Sequence, residues 1–261
     1  CACEIEACWP EVRTDLIVDG SMRFHEFKKP YALKENGEYL SDKDGNKIAL
    51  FGELVGPPLN SREEILAYLE KNKWSETGNL CGLHVHLSFS KIGYYCACMS
   101  NSFYEAFLEH INEWGCENCN ENTPENYLFW DRLENKNKFC LDKFIPDIQV
   151  QIKKKVVSDP KRYCLFNFCW NLHKTVECRL FPTFLDVEKA KSATLALIDF
   201  TEDYLSKLPV NNFNFSTEEE LDSENISENV EKSIRNKKNI QNKEKSNFLI
   251  RFFSAIFQLF R

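Results

Sequence analysis

Residues 162–186, RYCLFNFCWNLHKTVECRLFPTFLD, decide the fold that we expect for this chain. The segment reads as two short strands, and in the second strand apolar side chains alternate with Glu177 and Arg179. Strand alternation therefore places this carboxylate and this guanidinium on one face. Burying such a pair costs desolvation free energy, which is most easily tolerated where the pair holds a metal ion and a phosphate. A structural ion pair at a sheet edge is an equally good interpretation of these two residues alone.

Four other strand-like segments carry polar side chains that alternation places on one side. The first strand has two acids in an E-x-E pattern, an acid ends a short apolar run, a third strand has a single acid, and GLHVHL carries two imidazoles. In chain order these residues are Glu4, Glu6, Asp19, Glu53, His84 and His86. Carboxylates and imidazoles with few thiolates suit Mg²⁺ or Mn²⁺ better than zinc. The set therefore predicts a divalent metal site on one face of a sheet.

The order and the spacing of these motifs resemble a known family. The motifs are E-x-E on the first strand, a D-x-S turn, a strand Glu before a proline loop, G-x-H-x-H, and T-V-E-x-R-x-F followed by Thr and Asp. They are similar to those of the amidoligases, which belong to the carboxylate–amine ligase superfamily with glutamine synthetase and glutamate–cysteine ligase. The resemblance covers residues 2–204, and agreement of several segments makes it more specific than any single motif. It implies an α+β fold, in which an antiparallel sheet curls into a partial barrel like the glutamine synthetase catalytic fold, with helices packed outside.

The resemblance also implies an activity, namely an ATP-dependent ligase that uses Mg²⁺ or Mn²⁺ to join a carboxylate to an amine. The expected substrates belong to an amino acid, a peptide or a protein side chain. Amide formation in water requires an activated carboxylate, usually an acyl phosphate, and phosphoryl transfer relies on metal-bridged phosphates and an arginine. Two other function classes stay open: a metal-dependent hydrolase that activates water, and a non-catalytic nucleotide-binding module of the same fold.

The roles of the family's site residues carry over to the matching positions of this chain. The residues that the resemblance assigns to metal are Glu4, Glu6, Glu53, His84 and Glu177. Those assigned to ATP are Arg179, Arg162, Asn167 and His86, although each imidazole is suited to either metal or phosphate. Those assigned to catalysis are Arg179, Arg162 and Asp19.

Three positions depart from the family pattern without the loss of a charged group. They are Ala2 and Pro182, where glycine is usual, and Gly56, where serine is usual. The ligand set is complete, so we expect an active enzyme rather than a pseudoenzyme.

The overall charge argues against nucleic acid as a partner. The formal net charge is −7 and the isoelectric point is near 5.4, so bulk electrostatics would repel a phosphate backbone. The sequence shows no signal peptide and no run of about twenty apolar residues. The expected location is the cytoplasm, with contact to a membrane surface as a further possibility through the C-terminal segment.

The chain contains 12 cysteines, which lack an extracellular disulfide spacing and are expected to be reduced thiols. One group is tighter than the rest and consists of Cys96, Cys98, Cys116 and Cys119. A C-x-C followed by C-x-x-C can bind structural Zn²⁺, but a thiol-rich helix and turn is the preferred interpretation.

The chain is expected to contain three parts. Residues 1–209 form the catalytic domain, residues 210–246 form a polar linker, and residues 247–261 form an amphipathic helix. That helix is too short to span a bilayer, so it is expected to dock on its own domain or on a protein partner, or else to lie on a membrane surface.

Helix signals are clear within the first part. A capping box at Ser61 predicts a helix start, and helices are also predicted over residues 100–114 and 187–208. The polar, Asn-rich residues 115–138 are predicted to form a loop or lid near the site.

Overall fold

The computed structural model describes residues 1–13, 15–17, 34, 36, 38, 40, 41, 45, 49–78, 80–137, 140, 163–169 and 173–208. Strands and helices are interspersed along these ranges. The strands are β1 (Ala2–Arg13), β2 (Ala49–Val55), β3 (Leu83–Leu87), β4 (Phe166–Cys169) and β5 (Thr175–Cys178). The helices are α1 (Arg62–Lys71), α2 (Ile92–Cys98), α3 (Asn101–Asn118), α4 (Pro124–Leu133) and α5 (Val187–Ser206).

The described strands form one antiparallel sheet in the order β2-β1-β3-β5-β4, and within the described residues its edge strands β2 and β4 do not pair with each other. In its register Glu4 lies opposite His84. His86 lies opposite Glu177, which on its other side lies opposite Asn167. The predicted α+β class with an antiparallel sheet is confirmed at this level, and the two short strands expected within residues 162–186 are β4 and β5.

One face of the sheet is apolar and supports the core. Alternate residues of the strands, such as Ile5, Val85 and Val176, are buried. The ring of Phe166 on β4 lies 4.9 Å from that of Phe107 on α3, measured between centroids. Helices α3 and α5 pack on each other over this face, so the hydrophobic effect holds the sheet against a helical layer.

The helix starts agree with the sequence signals. Ser61 caps α1, since its side chain accepts a hydrogen bond from the Glu64 amide at 3.2 Å. The Glu64 carboxylate in turn accepts from the amide of Asn60 rather than from that of Ser61. Ser100 caps α3 in the same manner, and α5 covers nearly all of the predicted span.

The prediction of a loop or lid over residues 115–138 is wrong. Helix α3 continues to Asn118, and α4 fills much of the remainder. Thr123 caps α4 through the amide of Asn126, and a proline stands in its first turn. Leu128 and Phe129 are buried, so an apolar face packs this short helix on the core despite its polar composition.

The predicted domain boundaries are not tested by the fold. All described elements lie within residues 1–208, and the predicted linker and C-terminal helix lie outside the described residues. Among the helices that are described, none has the length and the apolarity needed to cross a membrane.

The core can be tested by truncation of Phe107, whose side chain is completely buried. Phe107→Ala is expected to lower the free energy of unfolding by about 3–5 kcal/mol, because it removes apolar contacts and leaves a cavity. Urea unfolding would measure the change. Tyr127→Ala is the control, since Tyr127 is 59% exposed and its loss is expected to cost no more than about 0.5 kcal/mol. Equal effects of the two variants would contradict this account of the core.

Candidate functional site

The sheet face opposite the core carries the polar residues that the sequence singled out. Strand pairing brings Glu4 from β1, His84 and His86 from β3, and Glu177 from β5 side by side. His84 is 3% exposed and Glu177 is 4% exposed, so ionisable groups are buried here in close contact. Buried ionisable groups require compensating partners, which makes this face the candidate functional site.

The carboxylate of Glu4 lies between the two imidazoles. Its Oε1 is 3.1 Å from Nε2 of His86, and its Oε2 is 3.5 Å from Nδ1 of His84. Nδ1 of His84 is also 3.4 Å from Oε1 of Glu177. Although carboxylate oxygens lie this close, neither of these two buried nitrogens forms a well-oriented hydrogen bond within the described part of the chain. Converging carboxylate oxygens and unpartnered imidazole nitrogens are the arrangement of ligands that a cation satisfies.

The orientation of His86 supports a ligand role. Its Nδ1 lies 3.0 Å from the hydroxyl of Thr175. If Nδ1 donates this hydrogen bond, Nε2 is the nitrogen that faces Glu4. Nε2 can donate to that carboxylate when it is protonated, or bind a cation through its lone pair when the cation replaces the proton.

Two groups of residues bring their ligand atoms within 4.8 Å of one another. The first group is Glu4, Glu53 and His84, and the second is Glu4, His86 and Glu177. Glu4 belongs to both groups, so one carboxylate links them. The structure thus brings together four of the residues assigned to metal by resemblance, and it adds His86, which the resemblance assigned to ATP.

Glu6, also assigned to metal, lies outside both groups. Its Oε2 accepts a hydrogen bond of 2.7 Å from the amide of Gly82, at the entry to β3. A Cβ atom at Gly82 would lie 2.5 Å from Nε2 of His84, so only glycine lets this ring approach the backbone. Glu6 and Gly82 thus fix the start of β3, and the backbone at Gly82 packs against the ring of His84.

The ion pair predicted from the TVECR sequence is present. Arg179 donates from one terminal nitrogen to Oε1 of Glu177. Asn167 donates from Nδ2 to Oε2 of Glu177 at 2.7 Å, and the thiol of Cys169 lies 3.7 Å from the same oxygen. The guanidinium of Arg179 also lies over the ring of Tyr163, 5.5 Å from its centroid. Oε1 of Glu177 faces His84 as well, so the pair is part of the cluster formed by Glu4, His84, His86 and Glu177, here called the carboxylate–imidazole cluster.

Charges within the cluster control its protonation. Burial acts to raise the pKa of the Glu177 carboxyl, but the positive charges of Arg179 and of the imidazoles outweigh it and hold that pKa well below its usual range. Burial likewise acts to lower the pKa of His86, but Glu4 and Glu177 outweigh it and raise that pKa. The pKa of Glu4 is lowered by the two imidazoles against the effect of burial. The carboxylates are therefore ionised at neutral pH and available as ligands.

Two predicted site residues, Asp19 and Arg162, lie outside the described residues. The four cysteines of the alternative zinc interpretation do not form a metal-ligand group: among the described residues, the groups close enough to hold a metal contain only carboxylates and imidazoles. Cys98 is buried in the core, whereas Cys116 is exposed on α3, so these two thiols lie in different environments.

Sequence reasoning missed one residue that borders the site. Arg132, near the end of α4, is 2% exposed and donates hydrogen bonds to backbone carbonyls beside β3 and β5. In the sequence it has the appearance of an ordinary basic residue in the last turn of a helix, and no local signal distinguishes it.

Comparisons with protein-family models, with curated proteins and with solved structures find no match to this chain. The resemblance to amidoligases therefore rests on the sequence motifs. Function has to be inferred from the geometry and the chemistry of the site.

The ion pair between Arg179 and the buried Glu177 makes stability depend on pH. Because the pKa of Glu177 is lowered in the folded state, the stability it contributes is present above about pH 4.3, the ordinary pKa of Glu, and is lost as the pH falls below that value. Glu177→Gln has no proton to take up at this position, so its free energy of unfolding should decline less steeply with acid. Urea unfolding across this acidic range would measure the slopes.

The matched control is Glu117→Gln, which replaces an exposed carboxylate on α3. We expect this variant to keep the wild-type slope. A Glu177→Gln slope equal to that of the wild type would show that Arg179 and the imidazoles do not hold Glu177 ionised.

Proposed function

We propose that this protein is an ATP-dependent ligase that uses Mg²⁺ or Mn²⁺ to join a carboxylate to an amine through an acyl phosphate. The observation that carries the proposal is that ligand atoms of Glu4, His86 and Glu177 lie within 4.8 Å of one another. Nε2 of His86 forms no well-oriented hydrogen bond in the described residues, and Arg179 is paired to Glu177. This arrangement combines metal ligands with a partly buried guanidinium, and both are what phosphoryl transfer requires.

The residues present fit a divalent ion. The ion would be held by the two linked groups, which consist of Glu4, Glu53, His84, His86 and Glu177. Oxygen and imidazole donors suit Mg²⁺ and Mn²⁺, with imidazole favouring Mn²⁺ of the two. When bound, such an ion neutralises and orients phosphate oxygens.

Arg179 is suited to contact the transferred phosphoryl group. Although burial acts to lower its pKa, the charge of Glu177 raises that pKa, so the guanidinium stays a cation. The salt bridge to Glu177 and the ring of Tyr163 fix its orientation before any substrate binds. A preorganised cation stabilises charge that develops on phosphoryl oxygens without further reorganisation.

The glutamine-synthetase-like fold forms part of this proposal. An open antiparallel sheet with helices on its apolar face and carboxylates on the other is compatible with a curled sheet of that kind. The expected substrates are the carboxylate and the amine of an amino acid, a peptide or a protein side chain, as the motif resemblance implies.

The partly buried Glu177–Arg179 pair favours ligase chemistry over hydrolysis. A metal-dependent hydrolase needs carboxylates and imidazoles that bind the metal and activate water, but it does not require a guanidinium next to these ligands. Phosphate binding gives the guanidinium a role, since a planar cation pairs with two phosphate oxygens at once.

The test is ADP release by the purified full chain with ATP, Mg²⁺ or Mn²⁺, and pooled amino acids and peptides as carboxylates. Hydroxylamine replaces the unknown amine and converts an acyl phosphate to a hydroxamate. Arg179→Ala is expected to lower the rate by about 10²- to 10³-fold, as loss of a preorganised charge contact does. Glu177→Ala and metal chelation should abolish turnover, whereas Glu117→Gln should leave it unchanged, because Glu117 is exposed on α3.

Other outcomes would distinguish the alternatives. Hydrolysis of a peptide or an amide without nucleotide would indicate the metal-dependent hydrolase. Tight ATP binding by calorimetry without turnover of any carboxylate would indicate a nucleotide-binding module. Absence of both turnover and ATP binding would overturn the proposal.

A further inference from the structure

Arg132 is among the largest side chains that are fully buried in this protein. It comes from α4, outside the sheet, and its guanidinium reaches two backbone segments that border the polar face. One terminal nitrogen donates to the carbonyls of Arg179 and Phe181, at 3.1 and 2.6 Å. The other donates to the carbonyls of Leu80 and Cys81, at 3.4 and 3.2 Å.

These two segments lead directly into the site. Leu80 and Cys81 precede Gly82, whose amide binds Glu6 and whose backbone lies under the ring of His84. The other segment begins at Arg179, the cation of the site. Any shift of one segment relative to the other therefore changes the positions of site residues on both β3 and β5.

Regular sheet pairing does not hold the two segments together. The ladder between β3 and β5 ends at the pair of Val85 and Cys178. Beyond it, the two segments meet at an isolated bridge between Gly82 and Pro182. At this bridge the amide of Leu83 donates to the carbonyl of Phe181, and the amide of Thr183 donates to the carbonyl of Cys81. The four hydrogen bonds from Arg132 reinforce this short bridge, since a single planar guanidinium spans both segments and reaches the same Phe181 and Cys81 carbonyls.

A buried guanidinium is costly in this position. In the described part of the chain Arg132 forms no salt bridge, and its Nε has no hydrogen-bond partner. A purely apolar packing role would be filled at lower cost by Leu or Met. The two terminal nitrogens of the planar guanidinium set the distance between the two segments, which is a role that Leu or Met cannot fill.

We propose that Arg132 is the positioning residue of the carboxylate–imidazole cluster. It fixes the spacing between the segment that leads into β3, which carries His84, and the segment that follows β5, which carries Glu177. His84 depends on that spacing, since its Nδ1 lies 3.4 Å from Oε1 of Glu177. The inference rests on the proposed function in taking this cluster as the metal site. Arg132 itself is not placed in contact with metal or substrate.

The experiment compares Arg132→Lys with Asn126→Ala in the full-length chain. Lysine keeps the charge and loses the fork, which makes it a milder change than Met. Asn126 is a buried polar residue of the same helix that donates to the carbonyl of Glu121 and accepts from Lys189 of α5, away from the site. Its loss therefore reports destabilisation of α4 and its packing without loss of the Arg132 hydrogen bonds. Three quantities are measured: melting temperature, Mn²⁺ affinity by calorimetry, and hydrogen exchange of the Gly82 and Leu83 amides in ¹⁵N-labelled, metal-free protein.

Both variants are expected to lower the melting temperature. Only Arg132→Lys should weaken Mn²⁺ binding, by about 10- to 100-fold, as loss of outer support around metal ligands does. The same variant should accelerate hydrogen exchange of the Gly82 and Leu83 amides. Their hydrogen bonds to Glu6 and Phe181 depend on the position of the segments that Arg132 holds.

Wild-type Mn²⁺ affinity in Arg132→Lys, or equal effects of the two variants on affinity, would reduce Arg132 to a structural residue. A wild-type protein that binds no Mn²⁺ would instead contradict the proposed metal site. In that event the exchange rates decide the positioning role alone, and unchanged exchange at Gly82 and Leu83 in Arg132→Lys would overturn it.

Discussion

Strands β1, β3 and β5 pair in a register that sets Glu4 beside His84 and His86 beside Glu177, and the chemistry of the polar face depends on this pairing. A slip of one residue along any strand would exchange its two faces. It would move ionisable side chains into the apolar core and place apolar ones on the polar face. Packing of the apolar face on α3 and α5 therefore fixes the register, and the register in turn fixes the distances among the site residues.

Charge balance is the second constraint. Carboxylates gathered on a buried face repel one another, and burial alone would favour their protonation. Arg179 and the imidazoles counter both effects around Glu177 and Glu4. The compensation is incomplete in one respect, since His84 Nδ1 and His86 Nε2 lack hydrogen-bond partners in the described residues. A divalent cation would complete it, which ties the electrostatics of the fold to the proposed activity.

The helical layer affects the site as well as the core. Arg132 extends from α4 to the ends of β3 and β5, where regular pairing has stopped. A helix that stabilises the apolar side thus also constrains the polar side. This accounts for a buried guanidinium in a position where the described structure offers it backbone carbonyls rather than a carboxylate.

Alternation and capping are local, so β4, β5, the start of α1 at Ser61 and the shared face of Glu177 and Arg179 are predictable from the sequence alone. The sequence also identified most of the residues that meet at the site, because strand period places them on one face. Only the tertiary structure decided that Glu6 binds the Gly82 amide and that His86 joins the ligand group. The same holds for the path of Arg132 to the strand ends. Such contacts depend on which distant segments become neighbours, and local periodicity carries no information on that choice.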